Sequence, residues 1–185
     1  MIIIRNRRSA LATIQQQYPE AEICDVTSRG PQPWVRFSPF YPHGTIPVPF
    51  SPERVSASVE GIWQGLKVFA LADVDPTRFT VTTMKNLKRT VHTYGNVLGH
   101  RQGVNGERLL AYAEARQTIY LPAYYWVLEH CLQDALAELR AWEKKQTVVL
   151  LDYETNCDLA DLNRPLSHAG LVKRYLGGDW PLATV

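Results

Sequence analysis

The chain has 185 residues, 45% hydrophobic and 21% charged, and 20 Lys and Arg against 18 Asp and Glu give a formal charge of +2. Five Trp, nine Tyr and five Phe carry too much apolar surface to remain in water, which excludes a disordered chain, and the length suits a single domain over residues 1–185. No apolar run approaches the ~18 residues of a membrane span, so no membrane partner is expected.

Met1 to Arg5 is too short and wrongly flanked for a signal peptide. Cys24, Cys131 and Cys157 are far apart, odd in number and without CxxC spacing, which speaks for a reducing, cytoplasmic setting. Ile2–Ile4 is a short β-branched run. Leu11, Ile14 and Tyr18 are spaced three and four apart, which predicts a helix over 8–18, stopped by Pro19. Ile23–Val26 and Trp34–Phe37 read as strands on either side of a Ser28-Arg29-Gly30-Pro31 turn. Prolines at 39, 42, 47, 49 and 52 exclude a helix or central strand and leave an ordered loop or edge structure.

Val59, Ile62, Trp63, Leu66, Phe69 and Ala70 fall on one face of a helix predicted over 58–71. Phe79–Gly103 is ambiguous, with room for a helical turn over 84–89. Residues 107–116 and 122–142 read as helices, the second with Pro122 at its first position. Thr147–Leu151 is continuous and apolar, fit for a buried strand, and a polar loop then leads to a closing helix over about 166–175, ended by Gly177-Gly178. The class is α+β, mostly helical with a few short strands.

Chemistry gathers in a few places. Glu60, Gln64 and Lys67 stand at i, i+4 and i+7, with Glu60 in the first helical turn, where the helix dipole favours its ionised form. Gly61 and Gly65 leave one side of that helix bare, open to a ligand or to a closely packed backbone. Such a row is also what an ordinary solvated face looks like. Asp152, Glu154, Asp158 and Asp161 follow the apolar strand, either as carboxylates delivered to a pocket or as turn-formers capping the last helix. From Pro76 to Gly106 there is no acid, while Arg78, Lys85, Lys88, Arg89 and Arg101 are basic, a pattern that favours phosphate. Ser167-His168 reads as a helix cap rather than a nucleophile and base. Absence of GxGxxG, of GxxxxGK and of metal-ligand spacing predicts no dinucleotide fold, no cofactor and no metal. Tyr120, Tyr124, Tyr125 and Trp126 read as core, with one ring free to stack on a base.

The loop Phe37-Ser38-Pro39-Phe40-Tyr41-Pro42 and the helix Val59-Glu60-Gly61-Ile62-Trp63-Gln64-Gly65-Leu66-Lys67-Val68-Phe69 together resemble the NADAR family, YbiA-like proteins linked to NAD and ADP-ribose. The family's Phe-Ser-Asn-Phe-like loop and its Glu, Gln, Lys and Phe fall in register. Tyr120 matches an aromatic position ahead of a helix, and Asp158 matches a late acidic loop. Pro39 stands in place of the family's Asn, Gly61 of its His and Tyr120 of its Trp, and the Gly-rich stretch after the Asp is absent, as in a divergent, phage-like relative.

The resemblance implies cleavage of a ribosyl–base bond: removal of ADP-ribose from a modified guanine in nucleic acid, or hydrolysis of a ribosylamino-pyrimidine phosphate. It implies Glu60 and Asp158 as the catalytic pair, Tyr120 beside the base with Phe37 or Trp63 opposite, Phe40 and Gln64 in the substrate site, and Lys67, Arg89 and Arg101 on phosphate oxygens. The replaced residues leave a non-catalytic binder of ADP-ribose or NAD as one alternative, and the acid-free stretch Pro76–Gly106 leaves a nucleic-acid-binding module as another. Oligomeric state is not legible in the sequence.

Overall fold

The computed structural model describes residues 1–181, and the fold is α+β. In chain order the elements are β1 (Ile2–Asn6), α1 (Leu11–Gln17), β2 (Glu22–Asp25), β3 (Ile46–Val48), β4 (Ser51–Ser56), α2 (Val59–Gly65), β5 (Lys67–Phe69), α3 (Val91–Tyr94), β6 (Val97–Arg101), β7 (Leu109–Leu110), α4 (Tyr112–Ala115), α5 (Leu121–Cys131), α6 (Gln133–Glu143), β8 (Val148–Asp152) and α7 (His168–Gly177). Two 3-10 turns, Trp34–Phe37 and Pro76–Thr80, and a π-helical segment, Arg116–Tyr120, complete the set. The chain divides into two units: residues 1–38 with 132–181, and the intervening Pro39–Cys131.

In the first unit, β8 is buried along its whole length and lies between β1 and β2, parallel to both. A strand covered on two faces and paired on two edges needs continuous apolar sequence, which Val148–Leu151 supplies. Ile14 of α1 packs on Val149 and Leu151, as its helical spacing predicts. Trp34–Phe37 is a 3-10 turn rather than a strand, because Pro31 and Pro33 preset a turn and Val35 and Arg36 donate to the carbonyls of Pro31 and Pro33. Trp34, Val35 and Phe37 are all buried there, with no alternation of inner and outer residues.

In the second unit, the proline-rich segment closes into the antiparallel pair β3–β4, an edge structure with no interior strand. The helix predicted over 58–71 stops at Gly65, and Lys67–Phe69 turns into strand β5 of the sheet β5-β6-β7. Gly at that point costs the helix about 1 kcal/mol, while Val68 and Phe69 suit a strand. Residues 84–89 are non-helical, and Met84 and Asn86 both adopt positive φ. The helix predicted over 107–116 becomes β7 and the single turn α4. Pro122 is not a helix start. It lies within a continuous path from α4 through the π segment into α5, where Leu121 N–H donates to the Arg116 carbonyl five residues back. The long helix predicted over 122–142 breaks at Leu132, whose φ of −127° leaves the helical range, so α5 and α6 are separate.

Candidate functional site

Ser58 caps α2, its Oγ accepting from Gly61 N at 3.0 Å, and Glu60 N donates to the Pro39 carbonyl at 2.8 Å. These bonds fix the first turn of the helix and with it the Glu60 side chain. The glycines are explained by packing. A Cβ on Gly61 lies 2.8 Å from the Arg78 carbonyl, and one on Gly65 lies 2.3 Å from the Phe79 ring, so the bare side of α2 is filled by the Pro76–Thr80 turn and not by a ligand. Gly61, where the NADAR pattern has His, therefore has no room for a larger side chain.

Glu60 is buried, with 7% of its surface exposed, and Gln64 Nε2 donates to its Oε1 at 2.9 Å. Its other oxygen accepts no hydrogen bond among the described residues. Burial pushes the Glu60 carboxyl above the usual range, against the pull of Gln64, Lys67 and Lys88. The loss of hydration therefore works against the helix dipole, which favours the ionised form. Gln64 is held at both ends, because its Oε1 accepts from Arg89 N at 3.0 Å. Lys67 reaches the same place from β5 and not from the helix. Burial and the neighbouring Lys88 and Arg89 lower its ammonium pKa, and Glu60 alone opposes them. Burial thus makes the carboxyl less acidic and the amine less basic, which narrows the difference in proton affinity between them.

Rings form one wall of this place. Trp63 packs against His100 in a tilted arrangement at 3.7 Å between centroids and meets Tyr120 edge-on at 5.7 Å and Tyr112 at 6.0 Å. Tyr120 in turn stacks on the fully buried Tyr124 at 6.2 Å. Lys67 Nζ lies 5.8 Å from the Trp63 ring centre, and Lys88 Nζ 5.6 Å from that of Phe40. His100 pairs with Lys67 across β5–β6 and is sealed with neither ring nitrogen in hydrogen-bonding geometry, although the Trp63 backbone comes close. Burial, with Lys67 beside it, drives the imidazole pKa down to about 3, so His100 is neutral at physiological pH.

Of the residues expected in the site, Glu60, Trp63, Gln64, Lys67 and Tyr120 come together in the second unit, and Phe40 joins them through Lys88. Others serve different ends. Arg89 directs its guanidinium to the protein's own carbonyls: it donates to those of Gln64, Lys67 and Asp73 at 3.3, 2.6 and 2.7 Å and lies over the rings of Phe69 and Tyr94. Arg101 is likewise engaged, bidentate on Asp73 at 3.0 and 2.9 Å and bonded to the Glu107 carbonyl. Phe37 has no exposed surface and stacks on Trp34 in the first unit, so it is a core ring. Asp158, also in the first unit, is exposed, and its Oδ1 accepts from Ala160 N at 2.8 Å in a turn, the loop-forming role weighed for that acidic segment.

The first unit contains its own buried carboxylate. Asp152 Oδ2 accepts from Ser167 Oγ at 2.8 Å and Ala169 N at 3.2 Å and pairs with His168 Nδ1 at 3.0 Å, while His168 Nε2 meets the Val26 carbonyl at 2.8 Å. With a carboxylate on one nitrogen and a carbonyl on the other, the ring is held as the imidazolium. Burial alone would lower the His168 pKa, but Asp152 and the Val26 carbonyl raise it on balance, and the same contacts bring Asp152 below the usual carboxylate range despite its burial. Ser167 Oγ also accepts from Gly170 N, capping α7 as expected. Every polar atom of this group is occupied, so it anchors α7 to the strand ends. Among the described residues no three His, Cys, Asp or Glu gather closely enough to hold a metal, and no helix is long and apolar enough to cross a membrane.

Sequence reasoning passed over His100 and Tyr112 as site residues, and named Lys88 only within the basic stretch. Only the pairing of Lys67 with His100 brings the first in, and two-residue β7 followed by α4 places the second; neither leaves a periodic signal. Residues 6–172 match the model of a family of unknown function, DUF6939. The chain belongs to DUF6939. The family match runs from the last residue of β1 into α7 and so takes in Glu60, the ring wall and the Asp152–His168 pair. No curated protein and no solved structure matches this DUF6939 chain.

Proposed function

We propose that this DUF6939 protein is a cytoplasmic, NADAR-like N-glycosidase that hydrolyses a ribosyl–base bond, with ADP-ribosylated guanine or a ribosylamino-pyrimidine phosphate as substrate. The observation that carries the reading is Glu60: a buried carboxyl with one neutral hydrogen-bond donor and two lysines acting on it, with Trp63 one turn along the same helix and Tyr120 edge-on to that ring. Breaking the C1′–N bond builds positive charge on the sugar, and an ionised Glu60 stabilises that charge. A water attacks C1′, its proton passes to Glu60, the C1′–O bond forms, and the base leaves with the electron pair of the broken bond and takes up a proton. Trp63 and Tyr120 offer ring faces and edges to the leaving base. Gln64, fixed by Arg89 N, orients the Glu60 carboxylate. Asp158 has no part in this scheme.

The test is chromatography of both substrates after incubation with the wild-type chain and with Glu60→Gln, which keeps the Gln64 hydrogen bond. Turnover falls by roughly 10²–10⁴ in the variant, the range general acid–base groups contribute. Equal turnover removes Glu60 from the mechanism. The seat of Gly61, too tight for the family's His, favours a second reading as a non-catalytic nucleotide binder; calorimetric binding of ADP-ribose by a wild-type chain that turns over neither substrate decides for it.

A further inference from the structure

The second unit carries apolar side chains that its own fold leaves uncovered. Leu71, Val91, Val97, Leu98 and Leu109 are each 40% or more exposed, Leu71 by 78%, and all five lie on strand β6 or on the segments that flank it. Their backbone is fixed. Leu71 N donates to the Tyr94 carbonyl at 3.0 Å, Gly95 N donates to the Val91 carbonyl at 2.9 Å, and Val97 pairs with Phe69 across β5–β6. Leu71 and Leu109 lie over glycines: a Cβ on Gly95 would meet Leu71 Cγ at 3.4 Å, and one on Gly99 would meet Leu109 Cγ at 3.0 Å.

The strand geometry holds these side chains outside. Val68 pairs with Gly99 and Phe69 with Val97, so Leu98 is an extra residue on β6, and this bulge leaves two consecutive apolar side chains in solvent where a regular strand turns one of them inward. On β7, buried Leu110 and exposed Leu109 alternate as strand residues do. Single exposed apolar residues are ordinary, but a fixed group of them marks a contact surface. The five together expose several hundred Å² of apolar surface, a large part of the roughly 800 Å² that each partner gives to a standard interface.

The neighbouring charges decide the occupant. Arg101 is closed on Asp73 at 2.9 Å and Arg108 on Glu114 at 2.6 Å, so the arginines of this sheet are neutralised and offer no field to a phosphate backbone or an anionic membrane. A two-fold contact needs a surface complementary to itself, apolar against apolar with no like charges set opposite one another, and this one meets that condition. A formal charge of only +2 lets two chains approach with little repulsion. We propose that the face formed by Leu71, Val91, Val97, Leu98 and Leu109 binds the same face of a second copy of this chain in a two-fold dimer. The proposal is independent of the N-glycosidase reading.

Sedimentation equilibrium of the full chain across a range of concentrations tests it. The wild type is expected to reach twice the 21.0 kDa of one chain and to stop there, since a two-fold contact closes. Leu71→Glu and Leu98→Glu each set an unpaired carboxylate in the contact and weaken association about a hundredfold or more. Leu11→Glu, a comparably exposed leucine in the first unit, leaves association unchanged. Leu98→Ser, which removes the apolar group without adding charge, weakens it as well, and urea unfolding of dilute samples shows each variant folded. Raising the salt concentration leaves the wild-type dimer intact, as an apolar contact requires. A wild type that stays monomeric, growth beyond two chains, wild-type association in both Leu71→Glu and Leu98→Glu, or an equal loss in Leu11→Glu overturns the proposal. A monomer that sediments with phosphatidylcholine vesicles assigns the face to a membrane and overturns it too.

Discussion

Two carboxyl groups, Asp152 in the first unit and Glu60 in the second, are buried, and they differ in every other respect. Asp152 has a cationic partner and two hydrogen-bond donors around one oxygen, and its pKa falls below the usual range. Glu60 has a single neutral donor, its lysines are too far to pair with it, and its pKa rises. Burial raises both; the local partners decide the sign. A buried acid whose partners are complete stabilises the fold, and one whose partners are incomplete remains open to chemistry.

The largest effect expected from breaking this contrast is in the first unit. Asp152→Ala leaves the His168 imidazolium buried without its counter-ion and frees the Ser167 cap, at a cost of about 3–5 kcal/mol read by urea unfolding. Gly65→Ala drives a methyl group into the Phe79 ring, and a loss of about 1–3 kcal/mol is expected, measured in the same way.

The pH dependence of stability sharpens the contrast. His168 is raised above its ordinary value of 6.5, so its contribution is complete below that pH and is lost as pH rises through the folded value. Asp152 is depressed below 3.8, so its contribution is complete above that pH and is lost as pH falls through the folded value. Unfolding midpoints measured from pH 6.5 upward therefore decline in the wild type, and His168→Gln flattens that decline. Glu60 runs the other way: its ionised form costs stability above its ordinary 4.5. Glu60→Gln is accordingly expected to raise the melting temperature at neutral pH by roughly 2–4 °C, the shift that about 1 kcal/mol makes in a chain of this size. A lower melting temperature in that variant contradicts the incomplete-partner description.

Much of the first unit was legible because each element carries its own pattern. The apolar run over Thr147–Leu151, the spacing of Leu11, Ile14 and Tyr18, and Ser167 ahead of α7 each signal a local structure that tertiary packing did not change. The second unit was harder to read. Trp63, Leu66 and Phe69 fit a helical stripe, but Gly65 ends the helix and pairing with β6 makes Lys67–Phe69 a strand. The i, i+4 spacing found the Glu60–Gln64 bond, since it depends on one helix alone. Charge along 76–106 could not separate Arg89 and Arg101 from Lys88, because a cation's availability depends on which carbonyls and carboxylates the fold sets beside it.

Carbon-detected NMR titration of the side-chain carboxyls follows both acids in one sample. Glu60 should titrate above its ordinary 4.5 and Asp152 below its ordinary 3.8; a Glu60 midpoint at or beneath 4.5 contradicts the account.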